Sequence, residues 1–191
     1  EEFRKKQNQE FEDYKFRINS LFNRISKIHE KEFEVLPELW IRLQKAYGRV
    51  VYLTSKVKRY PDLDNISEAE VGEFLKKSRL LESHKEKIKN SETKLQDYIE
   101  IIYYYDLSDS EKYLKKFKNY LISNKVFLSK DLHDLFGEIN EILKEAIEEY
   151  ETRKQVKDID KIIHFSQQLV EKIDPIIEAI ENKIQERLQC Q

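Results

Sequence analysis

The sequence predicts an all-α protein: a long N-terminal coiled-coil helix followed by an antiparallel bundle of about five helices. Three observations carry this reading. Only 3 Gly and 3 Pro occur in 191 residues, so turns are scarce and elements are long. Charged side chains make up 38% and hydrophobic ones 39%, the balance of long amphipathic helices. Finally, Phe11, Tyr14, Ile18, Leu21, Ile25 and Ile28 recur at spacings of 3, 4, 3, 4 and 3, an unbroken heptad seam. With 10 Phe and 11 Tyr, the chain also has far more core material than a disordered segment carries.

The first helix is expected from about Phe3 to about Phe33. Positions between its seam residues are mostly Glu, Lys, Arg and Asn. So narrow a seam needs a partner helix, in this chain or in another copy. Residues 1–36 are therefore read as a coiled-coil stalk for oligomerisation, and 37–191 as the helical bundle domain. Glu34-Val35-Leu36-Pro37 is the first punctuation, because Pro disfavours helix in the residue before it and suits a first turn. The next helix carries Leu39, Leu43, Ala46, Val50, Leu53 and Val57 on one face, widened by Trp40 and Tyr47. That width predicts burial in a bundle.

Tyr60-Pro61-Asp62-Leu63-Asp64-Asn65 reads as a loop, and Ser67-Glu68-Ala69-Glu70 as a capping box opening a short helix to about Lys77. After Ser78-Arg79-Leu80-Leu81 another helix begins near Ser83. Leu95, Ile99, Ile102, Tyr113, Phe117 and Tyr120 keep helical phase to about Ser123, which favours one continuous helix over a break at Ser108-Asp109-Ser110-Glu111. Asn124-Lys125 is the expected stop, Val126-Phe127-Leu128 an apolar connector and Ser129 the next N-cap. Leu132, Leu135, Phe136, Ile139, Leu143, Ala146 and Tyr150 form the following stripe. The last segment carries Ile159, Ile162, Ile163, Leu169, Ile173, Ile176, Ile180, Ile184 and Leu188. Pro175 falls inside it, and either kinks that helix or opens a new one capped by Asp174.

Net charge is -2, which points to no polyanionic partner. Residues 37–125 hold 18 basic and 14 acidic side chains, and 126–191 hold 9 and 15. Segments of opposite sign are expected to pack on one another. Cys190 is the only cysteine, so no intrachain disulfide forms, which suits a reducing compartment. No stretch approaches the ~18 apolar residues of a membrane span. The chain opens at Glu1 inside a helical pattern and reads as part of something longer, with a cytoplasmic location expected.

Catalytic and cofactor signals are weak. A carboxylate-bridged di-metal bundle needs Glu-x-x-His on two helices, and no such motif occurs among His29, His84, His133 and His164. Asp160 with His164, and His29 with Glu32, share helix faces but read as surface pairs. Gly48, Gly72 and Gly137 stand alone, so no phosphate-cradling loop is expected. No cofactor or metal is expected, and no residue is singled out as catalytic.

Lys112-Tyr113-Leu114-Lys115-Lys116-Phe117-Lys118-Asn119-Tyr120 mixes basic and aromatic residues, as a strand-binding surface would. Tyr113, Phe117 and Tyr120 fall on one core stripe, however, so nucleic acid is the lesser reading. Tyr103-Tyr104-Tyr105 cannot all be buried on one helix face. With Tyr103 beside Ile99 and Ile102, Tyr104 or Tyr105 projects outward. Tyr103, Tyr104 and Tyr105, with Lys112, Lys115 and Lys116, are the candidate surface for another protein.

Leu36-Pro37-Glu38-Leu39-Trp40, Tyr60-Pro61-Asp62-Leu63 and Asn119-Tyr120-Leu121-Ile122 make the chain resemble a group of uncharacterised bacterial all-helical proteins. The resemblance implies an N-terminal membrane anchor upstream, a charged coiled coil and a helical domain. It brings no catalytic residue. The function expected is non-enzymatic assembly, as a homo-oligomer that docks another protein. A membrane-anchored sensor or defence component, and a nucleic-acid-binding protein using the basic middle region, are the alternatives.

Overall fold

A computed structural model describes the backbone of residues 2–55, 58–156 and 159–189, and their side chains except those of 153–166 and 189. Among the described residues six α-helices follow in order: α1 (Glu2–Thr54), α2 (Glu68–Lys77), α3 (Glu82–Lys89), α4 (Lys94–Asn124), α5 (Lys130–Val156) and α6 (Ile159–Gln189). A 3-10 turn, Lys125–Phe127, joins α4 to α5.

Two expected boundaries move. Helix α1 does not end near Phe33; it runs through Pro37 for 53 residues, roughly 80 Å at 1.5 Å per residue. Proline removes one backbone donor and costs about 3 kcal/mol inside a helix. Here Val35, Leu36 and Leu39 are buried on either side of it, and that burial holds the helix across the lost bond. Pro37 itself faces solvent, where water can reach the Phe33 carbonyl it leaves unbonded. The second correction concerns residues 83–123. They are not one helix: α3 stops at Lys89 and α4 starts at Lys94. The break falls at Asn90-Ser91-Glu92-Thr93, three of which are residues that favour caps and turns. The Ser91 hydroxyl accepts a bond from the Thr93 amide at 3.0 Å, and Asp64 caps the Leu95 amide from the preceding loop at 3.3 Å. Helix α4 does run unbroken through Ser108–Glu111.

Local signals hold elsewhere. Ser67 and Glu70 form the reciprocal capping box, with the Ser67 amide bonded to Glu70 at 2.9 Å. Those hydrogen bonds keep the exposed Glu70 carboxyl below its ordinary range. Ser129 caps α5 through the Leu132 amide. Helix α6 continues through Pro175, and Asp174 opens no new helix; its carboxylate accepts the Tyr47 hydroxyl at 3.0 Å. Burial first, and that bond second, push the Tyr47 hydroxyl up to about 12.

The main core joins the second half of α1 to α4, α5 and α6, with Leu39, Leu43, Phe117, Phe136, Ile139 and Ile173 at its centre. Arg42 stacks on Tyr120 and Arg49 on Tyr113, so rising numbers along α1 meet falling numbers along α4. The same opposite sense links Glu32 to Arg187 and Tyr47 to Asp174, and Phe117 to Phe136 and Tyr103 to Tyr150. A satellite core packs α2 and α3 on the start of α4, around Leu63, Val71, Leu75, Ile88 and Tyr98. Tyr98 meets Phe74 and Tyr60 edge-on at 5.1 and 5.5 Å.

Candidate interaction surfaces

Residues 2–31 of α1 bury no side chain. About 45 Å of helix therefore stands clear of the bundle. Phe11, Tyr14, Ile18, Leu21, Ile25 and Ile28 lie on it as one stripe, each 47–64% exposed. Phe22 flanks the stripe and Phe16 points away from it, both also exposed. Single exposed apolar residues are ordinary, but six in register over five turns are not. Lys15 lies over the Phe11 ring at 4.5 Å, its alkyl stem covering part of that ring.

The stripe stops at a charge. Glu32 takes the next position after Ile28 and is only 5% exposed. Its carboxylate accepts from Arg187 Nε of α6 at 3.0 Å and lies 3.3 Å from His29 Nδ1. This contact ties the base of the free segment to the end of α6.

The three tyrosines separate. Tyr103 is buried, and burial, with the nearby Glu151 charge next, pushes its hydroxyl up to about 12. Tyr105 is committed to α3: its hydroxyl accepts the Leu81 amide at 3.1 Å and meets His84 Nδ1 at 2.9 Å. Tyr104 projects outward, 68% exposed, with its ring edge-on to Tyr103. Lys112, Lys115 and Lys116 are all exposed. Only Lys115 shares the Tyr104 face, and eleven residues of helix set the two roughly 16 Å apart. Lys116 sits over the Tyr113 ring at 5.5 Å. The six residues thus do not form one contiguous patch. Lys115 instead borders a groove between α4 and α5 of about 270 Å³, with Lys118, Lys144, Glu111, Glu148 and Glu151 around it. Asn140 Oδ1, at its floor, is buried without a hydrogen-bond partner among the described residues.

An ionic hub outside the sequence-based expectations directly follows the three tyrosines on α4. Asp106 is 3% exposed on α4 and accepts from Lys58 Nζ at 3.1 Å and from Arg79. Arg79 also bonds Asp109, which lies 3.8 Å from Arg49. The Ser110 hydroxyl donates to a backbone carbonyl, that of Arg49 at 3.1 Å or that of Asp106 at 2.8 Å. The hub pins the segment after α1 and the segment before α3 to one turn of α4. A signal for it was present: Asp106 follows Ile102 by four residues, in phase with the apolar stripe, and a carboxylate there requires cations.

The histidines divide similarly. His133 lies 3.5 Å from Asp134, His84 meets Tyr105, and the side chains of Asp160 and His164 lie outside the described residues, as does Cys190. Among the described residues no group of three or more His, Cys, Asp or Glu is placed to hold a metal ion. Among them, too, no helix is long and apolar enough to cross a membrane. Comparison with protein-family models, with curated proteins and with solved structures finds no match to this chain.

Proposed function

We propose that the chain is a non-enzymatic assembly module, an antiparallel helical body whose N-terminal stalk self-associates as a coiled coil. One observation carries the reading: six large apolar side chains at heptad spacing, all about half exposed, on a helix that stands clear of its own bundle. Such a stripe in water is a face awaiting a partner, and burying it is the main gain available to the stalk. The body, with its own closed core, holds stalks at a defined angle and presents Tyr104 to a further protein.

Light scattering tests this directly. The wild-type chain should be oligomeric at micromolar concentration. Replacing Ile18 and Ile25 together with Asp should give a monomer whose thermal unfolding matches the wild type. A wild-type monomer at high micromolar concentration would sink the reading.

A further inference from the structure

We infer that two copies of this chain pair their stalks in opposite directions, Phe11 of one layered against Ile28 of the other, Tyr14 against Ile25, and Ile18 against Leu21. This rests on the self-association proposed above and adds its geometry. The spacing 3, 4, 3, 4, 3 reads the same from either end, so a reversed partner leaves no stripe residue unmatched. Spacing alone also allows parallel pairing. The bundle decides between them.

Ile18 and Leu36, Leu21 and Leu39, and Ile25 and Leu43 are each 18 residues apart in one continuous helix. Eighteen residues are five turns at 3.6 residues per turn, so the stripe and the buried face of α1 lie on the same side. A partner helix packed on the stripe has its axis about 8–10 Å away on that side. Running parallel, it would pass Glu32 and enter the space held by α4 and α6, where Arg187 bonds Glu32 and Tyr120 stacks on Arg42. By symmetry both bundles would claim the same volume.

Reversal removes the overlap of the two bodies: each then sits at the opposite end of the paired stalks, and of the partner only residues 2–6, level with 33–37, reach past Glu32 to the base of the bundle. That stretch is polar apart from Phe3. The register sets its Arg4, seven residues before Phe11 and so in phase with the stripe, level with Val35 near the last turns of α6, where Glu186 is exposed. Twelve half-exposed side chains put the buried area on the order of 1,000 Å², the lower bound of a specific interface.

Spin labels on the full chain discriminate the arrangements, with Cys190→Ser removing the native thiol. Ser20→Cys and Lys6→Cys are labelled separately, and intermolecular distances are read by pulsed EPR alongside light scattering. The antiparallel pair predicts a dimer with about 20 Å or less between labels at position 20. At position 6 the labels should be roughly 40 Å apart, from 27 residues of rise. Short distances at both positions mean parallel stalks and overturn this inference while leaving self-association standing. Long distances at both place the dimer contact outside the stalk, which overturns it too. A monomer overturns both proposals.

Discussion

The two halves of α1 share one period and meet opposite fates. Leu36, Leu39, Leu43, Ala46, Val50 and Leu53 are fully buried, while the stripe from Phe11 to Ile28 is about half exposed. The difference lies partly in breadth. Trp40 and Tyr47 widen the second half into a face that two helices, α4 and α6, can cover. The first half is narrower, a single heptad stripe between exposed polar neighbours. Apolar periodicity thus specifies that a face is to be covered. What covers it depends on how wide the face is and on what else the chain folds beside it.

The strongest way to break the comparison is to make equal deletions in both halves of the architecture. Phe117 is fully buried, 6.0 Å from the Phe136 ring. Phe117→Ala should cost about 3–5 kcal/mol in urea unfolding, from lost burial plus the cavity left behind. Ile18→Ala in the stalk should stay within about 0.5 kcal/mol when measured at a dilution that keeps chains apart. A comparable loss at Ile18 would mean that the stalk folds back on its own body.

Next in size is the hub. Asp106→Asn keeps shape and volume and removes the charge that Lys58 and Arg79 share. The Lys58 side chain is 12% exposed and that of Arg79 is 40% exposed, so water recovers part of the arginine's loss. We expect about 3 kcal/mol, the low end for a broken buried pair. Amide exchange should rise first in α2 and α3, whose attachment to α4 the hub secures. An unchanged urea midpoint would show that the cluster is merely surface charge.

Most of the helical architecture was legible in the sequence, and the misses share a cause. The capping box at Ser67, the cap at Ser129 and the stop at Asn124 are local events, decided by side chains bonding their own backbone. Pro37 was misread because its local cost is real but is outweighed by the burial of Val35, Leu36 and Leu39 on neighbouring helices. Asn90–Thr93 was misread in the other sense: phase survived across it, while its weak helix formers let the chain turn. Which of Tyr104 and Tyr105 projects outward was not legible, because the partners of Tyr105, the Leu81 amide and His84, belong to the start of another helix. Asp106 and Glu32 were hidden in plain sequence, as charges in apolar phase whose cations stand 27 and 155 residues away.

Glu32 offers the finest test, because it sits where one half of α1 becomes the other. It continues the stripe from Ile28 and precedes Leu36 by one turn, yet it is charged. Its carboxylate is nearly buried and held by Arg187 from α6. The arginine side chain is 44% exposed, so much of its attraction is screened. Arg187→Ala should therefore cost only about 1 kcal/mol globally. Its local effect should be clearer: amides from about residue 28 to residue 36 should exchange faster, while those near Val50 keep their protection. If exchange is unchanged on both sides, the ion pair does not fasten the stalk, and packing of Val35 and Leu36 alone sets where free helix gives way to bundle.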